Sequence, residues 1–88
     1  ARIVTPTWRP DGHAVIAAAD FDGDTFNLYE FNTAQPAEAP KRLTAVRGGA
    51  TWPDVSRDGQ TLVFVGYTTA GFDLFTMPYP TSAAEAPA

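Results

Sequence analysis

Asp20-Phe21-Asp22-Gly23-Asp24 puts three carboxylates within five positions, a density that brings a calcium loop to mind. An EF-hand loop needs glycine at its sixth position and a bidentate glutamate at its twelfth. Counted from Asp20, those positions hold Thr25 and Phe31. The match fails, Asp and Gly are ordinary turn residues, and no metal site is expected. His13 is the only histidine, and a nucleophilic triad would need it beside a serine and an acid. The serines are Ser56, in a turn, and Ser82, near the end, and neither sits in a Gly-x-Ser-x-Gly elbow. His13 follows a turn glycine, where a solvent-facing polar residue is expected. No catalytic residue is assigned.

The remaining chemistry-bearing side chains give a similar answer. Lys41, Arg42, Arg47 and Arg57 are spread over three segments, and Gly48-Gly49 is not followed by the Lys-Ser/Thr of a phosphate loop. The ten acidic against six basic residues, net charge −4 and pI near 4.6, remove the electrostatic footprint of a nucleic-acid binder. Cysteine is absent, which excludes disulfides, thiolate metal sites and a cysteine nucleophile together. No cofactor is implied. Trp8 and Trp52 are the aromatic anchors. Trp52 has no matching tryptophan in the first copy of the repeat described next, which makes it the candidate interaction residue.

The elements that would position these residues occur twice. Pro6-Thr7-Trp8-Arg9-Pro10-Asp11-Gly12 aligns with Pro53-Asp54-Val55-Ser56-Arg57-Asp58-Gly59 at an offset of 47. Phe26-Asn27-Leu28-Tyr29 aligns with Phe72-Asp73-Leu74-Phe75 at 46, so one residue is lost in the intervening turn. Repeated strands joined by loops tolerate such a change. Arg9-Pro10-Asp11-Gly12 suits a type I turn with a glycine bulge closing a hairpin, and Ser56 to Gly59 does the same without proline. Pro10, Asp11, Gly12, Asp58 and Gly59 are therefore assigned as structural turn residues, the two aspartates bonding their own turn backbone.

Apolar runs follow each turn, His13 to Ala19 and Thr61 to Tyr67. The second hardly alternates, as expected of a strand buried on both faces. Turns at Asp22-Gly23-Asp24 and Thr69-Ala70-Gly71 lead into further strands, Phe26 to Phe31 and Phe72 to Met77. A Pro/Ala spacer, Thr33 to Pro40, precedes a short strand at Lys41 to Thr44. The second unit has no such final strand. Helical signal is negligible, apart from a brief turn at Ser82 to Ala86.

This unit resembles a β-propeller blade, and more narrowly the TolB-type, WD-repeat-like blades of bacterial propellers. The residues carrying the resemblance are Pro6, Trp8, Pro10, Asp11, Gly12, Asp22, Gly23, Leu28, Tyr29, Arg42, Leu43 and Thr44 in the first copy. In the second they are Pro53, Ser56, Asp58, Gly59, Leu74 and Phe75. Arg9 stands where the pattern has serine, Val55 where it has tryptophan, and Arg57 where it has proline. The resemblance implies an all-β chain of two four-stranded antiparallel blades, with Trp8 in the blade core under its hairpin.

The expected organisation is a first blade over 1–46, a second over 47–78, and a Pro/Ala-rich linker or tail over 79–88. Arg2 to Thr5 resembles Arg42 to Thr44 in content and place, which makes residues 1–5 a candidate last strand of another blade. A propeller closes with roughly 4–8 blades, so further blades must come from a longer parent chain or from self-assembly as a trimer or tetramer. The start at Ala1 without Met favours a processed chain or a piece of a longer one, and no export leader is expected in its first residues. No apolar stretch approaches the ~20 residues of a membrane helix.

In function the resemblance implies a non-catalytic interaction scaffold with protein partners, periplasmic or secreted. Two alternatives place these blades elsewhere: in the gating propeller of a prolyl-oligopeptidase-like serine peptidase whose catalytic domain lies outside this chain, or ahead of an outer-membrane barrel.

Overall fold

The computed structural model describes residues 2–21, 23, 25–35 and 37–80. Over these the chain is all-β with no helix, so none is long and apolar enough to cross a membrane. Four strands form a first antiparallel meander: β1 (Ile3–Trp8), β2 (Ala14–Ala19), β3 (Asn27–Asn32) and β4 (Lys41–Arg42). Three form a second: β5 (Ala50–Val55), β6 (Thr61–Thr68) and β7 (Gly71–Pro78). The expectation of two four-stranded sheets is corrected here. Among the described residues, which end at Pro80, nothing pairs with the outer edge of β7.

Ile3, Val4 and Thr5, read from the sequence as a separate strand, run on into Pro6–Trp8 as the single strand β1. The pairing of β1 with β2 slips between Val4 and Thr7, and that of β5 with β6 between Thr51 and Asp54. Each slip contains a proline, Pro6 or Pro53. A residue without an N–H cannot continue a ladder and is accommodated at a bulge. The residue before each proline, Thr5 or Trp52, has positive φ, +50° and +52°.

The core lies between the two sheets. Ile16, Ala18 and Leu28 of the first sheet, with Leu43, meet Ala50, Val55, Leu62 and Phe64 of the second. Val4, Phe26, Val46 and Met77 close its margins. Asn27 organises the passage from one sheet to the next. Its Oδ1 accepts from the Thr44 hydroxyl (2.9 Å) and the Val46 N–H (2.8 Å), and Thr44 Oγ1 accepts from the Leu28 N–H (2.9 Å).

The run Thr61 to Tyr67 alternates, contrary to the two-sided burial expected. Leu62, Phe64 and Gly66 are buried, Thr61, Val63 and Val65 half-exposed, and Tyr67 exposed. The reason is physical: one face of β6 lies on the first sheet, and among the described residues no layer covers the other. Tyr79 departs from its expected place in a linker. It is only 7% exposed, belongs to the core, and donates its N–H to the Gln60 carbonyl at 2.8 Å. Residues 81–88, with Ser82 and the brief turn expected there, lie outside the described residues.

Candidate functional site

The two hairpin turns are built alike, bond for bond. Arg9 N–H donates to Ala14 O (2.8 Å) and Gly12 N–H to Arg9 O (2.8 Å); Ser56 N–H donates to Thr61 O (2.9 Å) and Gly59 N–H to Ser56 O (2.8 Å). Gly12 and Gly59 have φ of +76° and +77°, the left-handed conformation that glycine adopts without a Cβ penalty. Asp11 Oδ1 accepts the His13 N–H at 2.9 Å, and Asp58 Oδ1 accepts the Gln60 N–H at 3.0 Å. Pro10 occupies the second turn position, where its fixed φ suits a type I turn.

The turns differ where Arg9 replaces serine. In the second turn, Ser56 Oγ donates to Asp58 Oδ1 (2.6 Å) and accepts the Thr61 N–H (3.0 Å). Arg9 Nε reaches both Asp11 oxygens (2.9 and 3.0 Å), while its Nη1 crosses to Glu30 Oε1 on β3 (2.7 Å). Tyr79 Oη donates to the same Glu30 oxygen. A turn, a central strand and the residue after β7 are thereby joined. The Arg9 side chain, and next the His13 amide, hold the Asp11 carboxyl below the usual carboxylate range. The Ser56 hydroxyl, and next the Gln60 amide, lower Asp58 in the same way. Burial, reinforced by Glu30, pushes the Tyr79 phenol well above its ordinary value.

These groups line a groove of about 530 Å³ between the two turns, with Lys41 and Arg57 on its walls. Three cations (Arg9, Lys41, Arg57) face three carboxylates (Asp11, Glu30, Asp58). With no single sign of charge, the groove does not focus a field on an anionic or a cationic ligand. Its mixed polarity suits a surface segment that carries both donors and acceptors.

His13 and Ser56 belong to separate turns, and the Ser56 hydroxyl is engaged with Asp58 of its own turn. The His13 main-chain carbonyl accepts from the Thr33 N–H and hydroxyl (3.3 and 3.1 Å). Among the described residues, no three His, Cys, Asp or Glu side chains converge as a metal site. Asp22 and Asp24 of the acidic cluster lie outside the described residues.

Trp52 is 67% exposed, with its N–H donated to Thr5 Oγ1 at 3.1 Å. Trp8, expected in the core, is instead 63% exposed. It pairs with Val15 on the face of the first sheet that points away from the second. Its counterpart Val55 is buried because that face of its own sheet is covered.

Sequence reasoning missed Glu30 and Tyr79. No sequence signal pointed to their bond; the structure shows that the Tyr79–Gln60 backbone bond repeats the Thr33–His13 bond. Neither the scan of protein-family models nor the search of curated proteins found a match to this chain.

Proposed function

We propose that this chain is a two-blade segment of a β-propeller that acts as a non-catalytic protein-interaction scaffold, its outer faces covered by further sheets of the same kind. One observation carries the reading. The exposed face of the second sheet, with Val63, Val65 and Leu74, is the repeat counterpart of the first-sheet face, with Ile16, Ala18 and Leu28, that lies in the core. Conversely, the outward Trp8 and Val15 are the counterparts of core residues Val55 and Leu62. Each open face is the kind that the opposite open face covers inside this chain. Surfaces related in this way stack head to tail, and they close a ring when the rotation between units permits.

Further blades come from a longer parent chain or from three or four copies of this one. The bacterial envelope setting and its protein partners rest on the family resemblance alone. Light scattering on the 88-residue chain over rising concentration tests the stacking. Wild type is expected to associate, whereas Trp8→Lys and Phe72→Lys, which charge opposite faces, each block growth. Mixed together, these two variants retain one intact face apiece and form a dimer that goes no further. A wild-type chain that stays monomeric throughout counts against face stacking.

A further inference from the structure

The outward face of the first sheet carries a cover that the outward face of the second lacks. Side chains alternate along β2, so Ala17 and Ala19 point away from the core that holds Ile16 and Ala18. Among the described residues no sheet lies over that side. Ala17 and Ala19 are nevertheless buried, and so is Tyr29, the partner of Ala17 across the ladder. On the bare face of the second sheet, by contrast, Phe72 and Leu74 are 74% and 69% exposed. The difference lies in Phe21. It follows β2 by two residues, and Ala19 is already opposite Asn27, the first residue of β3. Its ring still stands edge-on to Tyr29, 4.9 Å between centroids, and 6.4 Å from Phe31. To reach both it folds back along the face, past Ala19 toward Ala17. The repeat explains the gap it fills: Ala17 and Tyr29 correspond to Phe64 and Phe75, which stack at 5.9 Å. The first sheet has alanine where the second has a ring, and Phe21 supplies one from the turn. Thr68, the counterpart of Phe21 at the offset of 47, is held in its own turn by a bond to Gly71 O at 3.1 Å.

We propose that Phe21 is an autoinhibitory cover on the stacking face of the first sheet, in competition with a second copy of this chain. Inside the chain, Ile16, Ala18 and Leu28 close over the side of the second sheet that carries Phe64. In a stacked pair their counterparts Val63, Val65 and Leu74, from the second copy, close over Ala17 and Tyr29. The Phe21 ring stands on that ground and swings off it before the second copy seats. The affinity between copies is therefore reduced by the fraction of chains in which the cover is closed. Only one of the two stacking faces is braked in this way, since the second sheet has no ring at the equivalent place. This inference rests on the stacking reading and adds to it a residue that regulates the contact.

The test uses the two singly blocked 88-residue chains, measured by sedimentation. In that pair, Phe72→Lys offers its first-sheet face and Trp8→Lys its second-sheet face, so one interface forms. Phe21→Ala added to the Phe72→Lys chain is expected to tighten the dimer about tenfold. Phe21 is 41% exposed and outside the core cluster, so the change spares the fold. The same change in the Trp8→Lys chain, where Phe21 is remote from the interface, should leave the affinity as it was. Nuclear Overhauser contacts from Phe21 to Tyr29 and Phe31 are expected in the free Phe72→Lys chain and should vanish in the dimer. Equal or weaker dimerisation after Phe21→Ala in the Phe72→Lys chain would overturn the cover. So would equal tightening from the Trp8→Lys side, or a dimer that keeps those ring contacts. A dimer that forms only when Phe21 is removed supports it. No dimer at all, with Phe21 present or removed, overturns the stacking reading and the cover together, which distinguishes that failure from loss of the cover alone.

Discussion

The Trp52 N–H donates to Thr5 Oγ1 across the two sheets at 3.1 Å, and these residues occupy the same position of successive repeats. Both precede a proline, and both have left-handed backbone. For a residue with a Cβ that conformation costs about 1–2 kcal/mol, and glycine's extra freedom in the unfolded chain takes back about 0.5–1. Trp52→Gly, which removes a mostly exposed side chain, is therefore expected to leave stability unchanged or raise it by up to about 1 kcal/mol in urea melts. Thr5→Val keeps the strain but removes the acceptor, and should lower stability by about 1 kcal/mol.

Thr51 offers a gain of a different kind. Its Oγ1 is buried and is the one buried side-chain polar atom without a partner among the described residues. The repeat counterpart, Val4, is valine. Thr51→Val replaces the hydroxyl by a methyl of similar shape and removes an unmet desolvation cost of about 1–3 kcal/mol. A higher melting temperature is expected, and a lower one would show that the hydroxyl has a partner in solution.

Stability should fall on both sides of neutrality, for separate reasons. The Tyr79 phenol is raised in the folded chain, so its contribution is complete below the unfolded value of about 10 and is lost as pH climbs past it. Tyr79→Phe should abolish that alkaline step in a pH series of melts. Asp11 and Asp58 are lowered, so theirs is complete above about 3.9 and is lost on acidification below that. Asp58→Asn should blunt the acid step and leave the alkaline one intact.

Leu62 is fully buried where the second sheet meets the first. Leu62→Ala should cost about 2–5 kcal/mol, a large share of what an 88-residue chain commands. Leu62→Asp should unfold the second sheet, since an unpaired buried carboxylate has no acceptable environment there. Cooperative melting retained after that change would move the core elsewhere.

The hairpins were legible because their chemistry is local: Asp11, Gly12, Asp58 and Gly59 carry the turn in four residues, and DG pairs leave little choice of backbone. Strand positions followed from the same punctuation. The Glu30–Tyr79 bond was not legible, because its partners lie 49 positions apart and no periodicity links a glutamate to a distant tyrosine. The state of Val15, Val63 and Trp8 was also hidden. Their side chains suit a buried strand, but whether a face is dry depends on the layer above it, which a strand's own residues do not encode. Arg9 read as a departure from a turn pattern; its reach to Glu30 required β3 to be in place.

That same 49-residue separation has a consequence for the order in which the chain assembles. Each meander is made of neighbours and can zip from its turn outward, a low-cost closure. Tyr79 follows both meanders in the chain, and the Glu30 carboxylate, bonded to Arg9, gains the Tyr79 hydroxyl only once that residue has emerged. The first sheet can thus be fully paired while its core-facing surface still waits for a cover. Two sheets that recognise one another's faces are exposed during that interval to mispairing with a neighbouring nascent chain. The Tyr79–Glu30 bond ties the end of the second sheet back to the first, so it forms only once both meanders are in place.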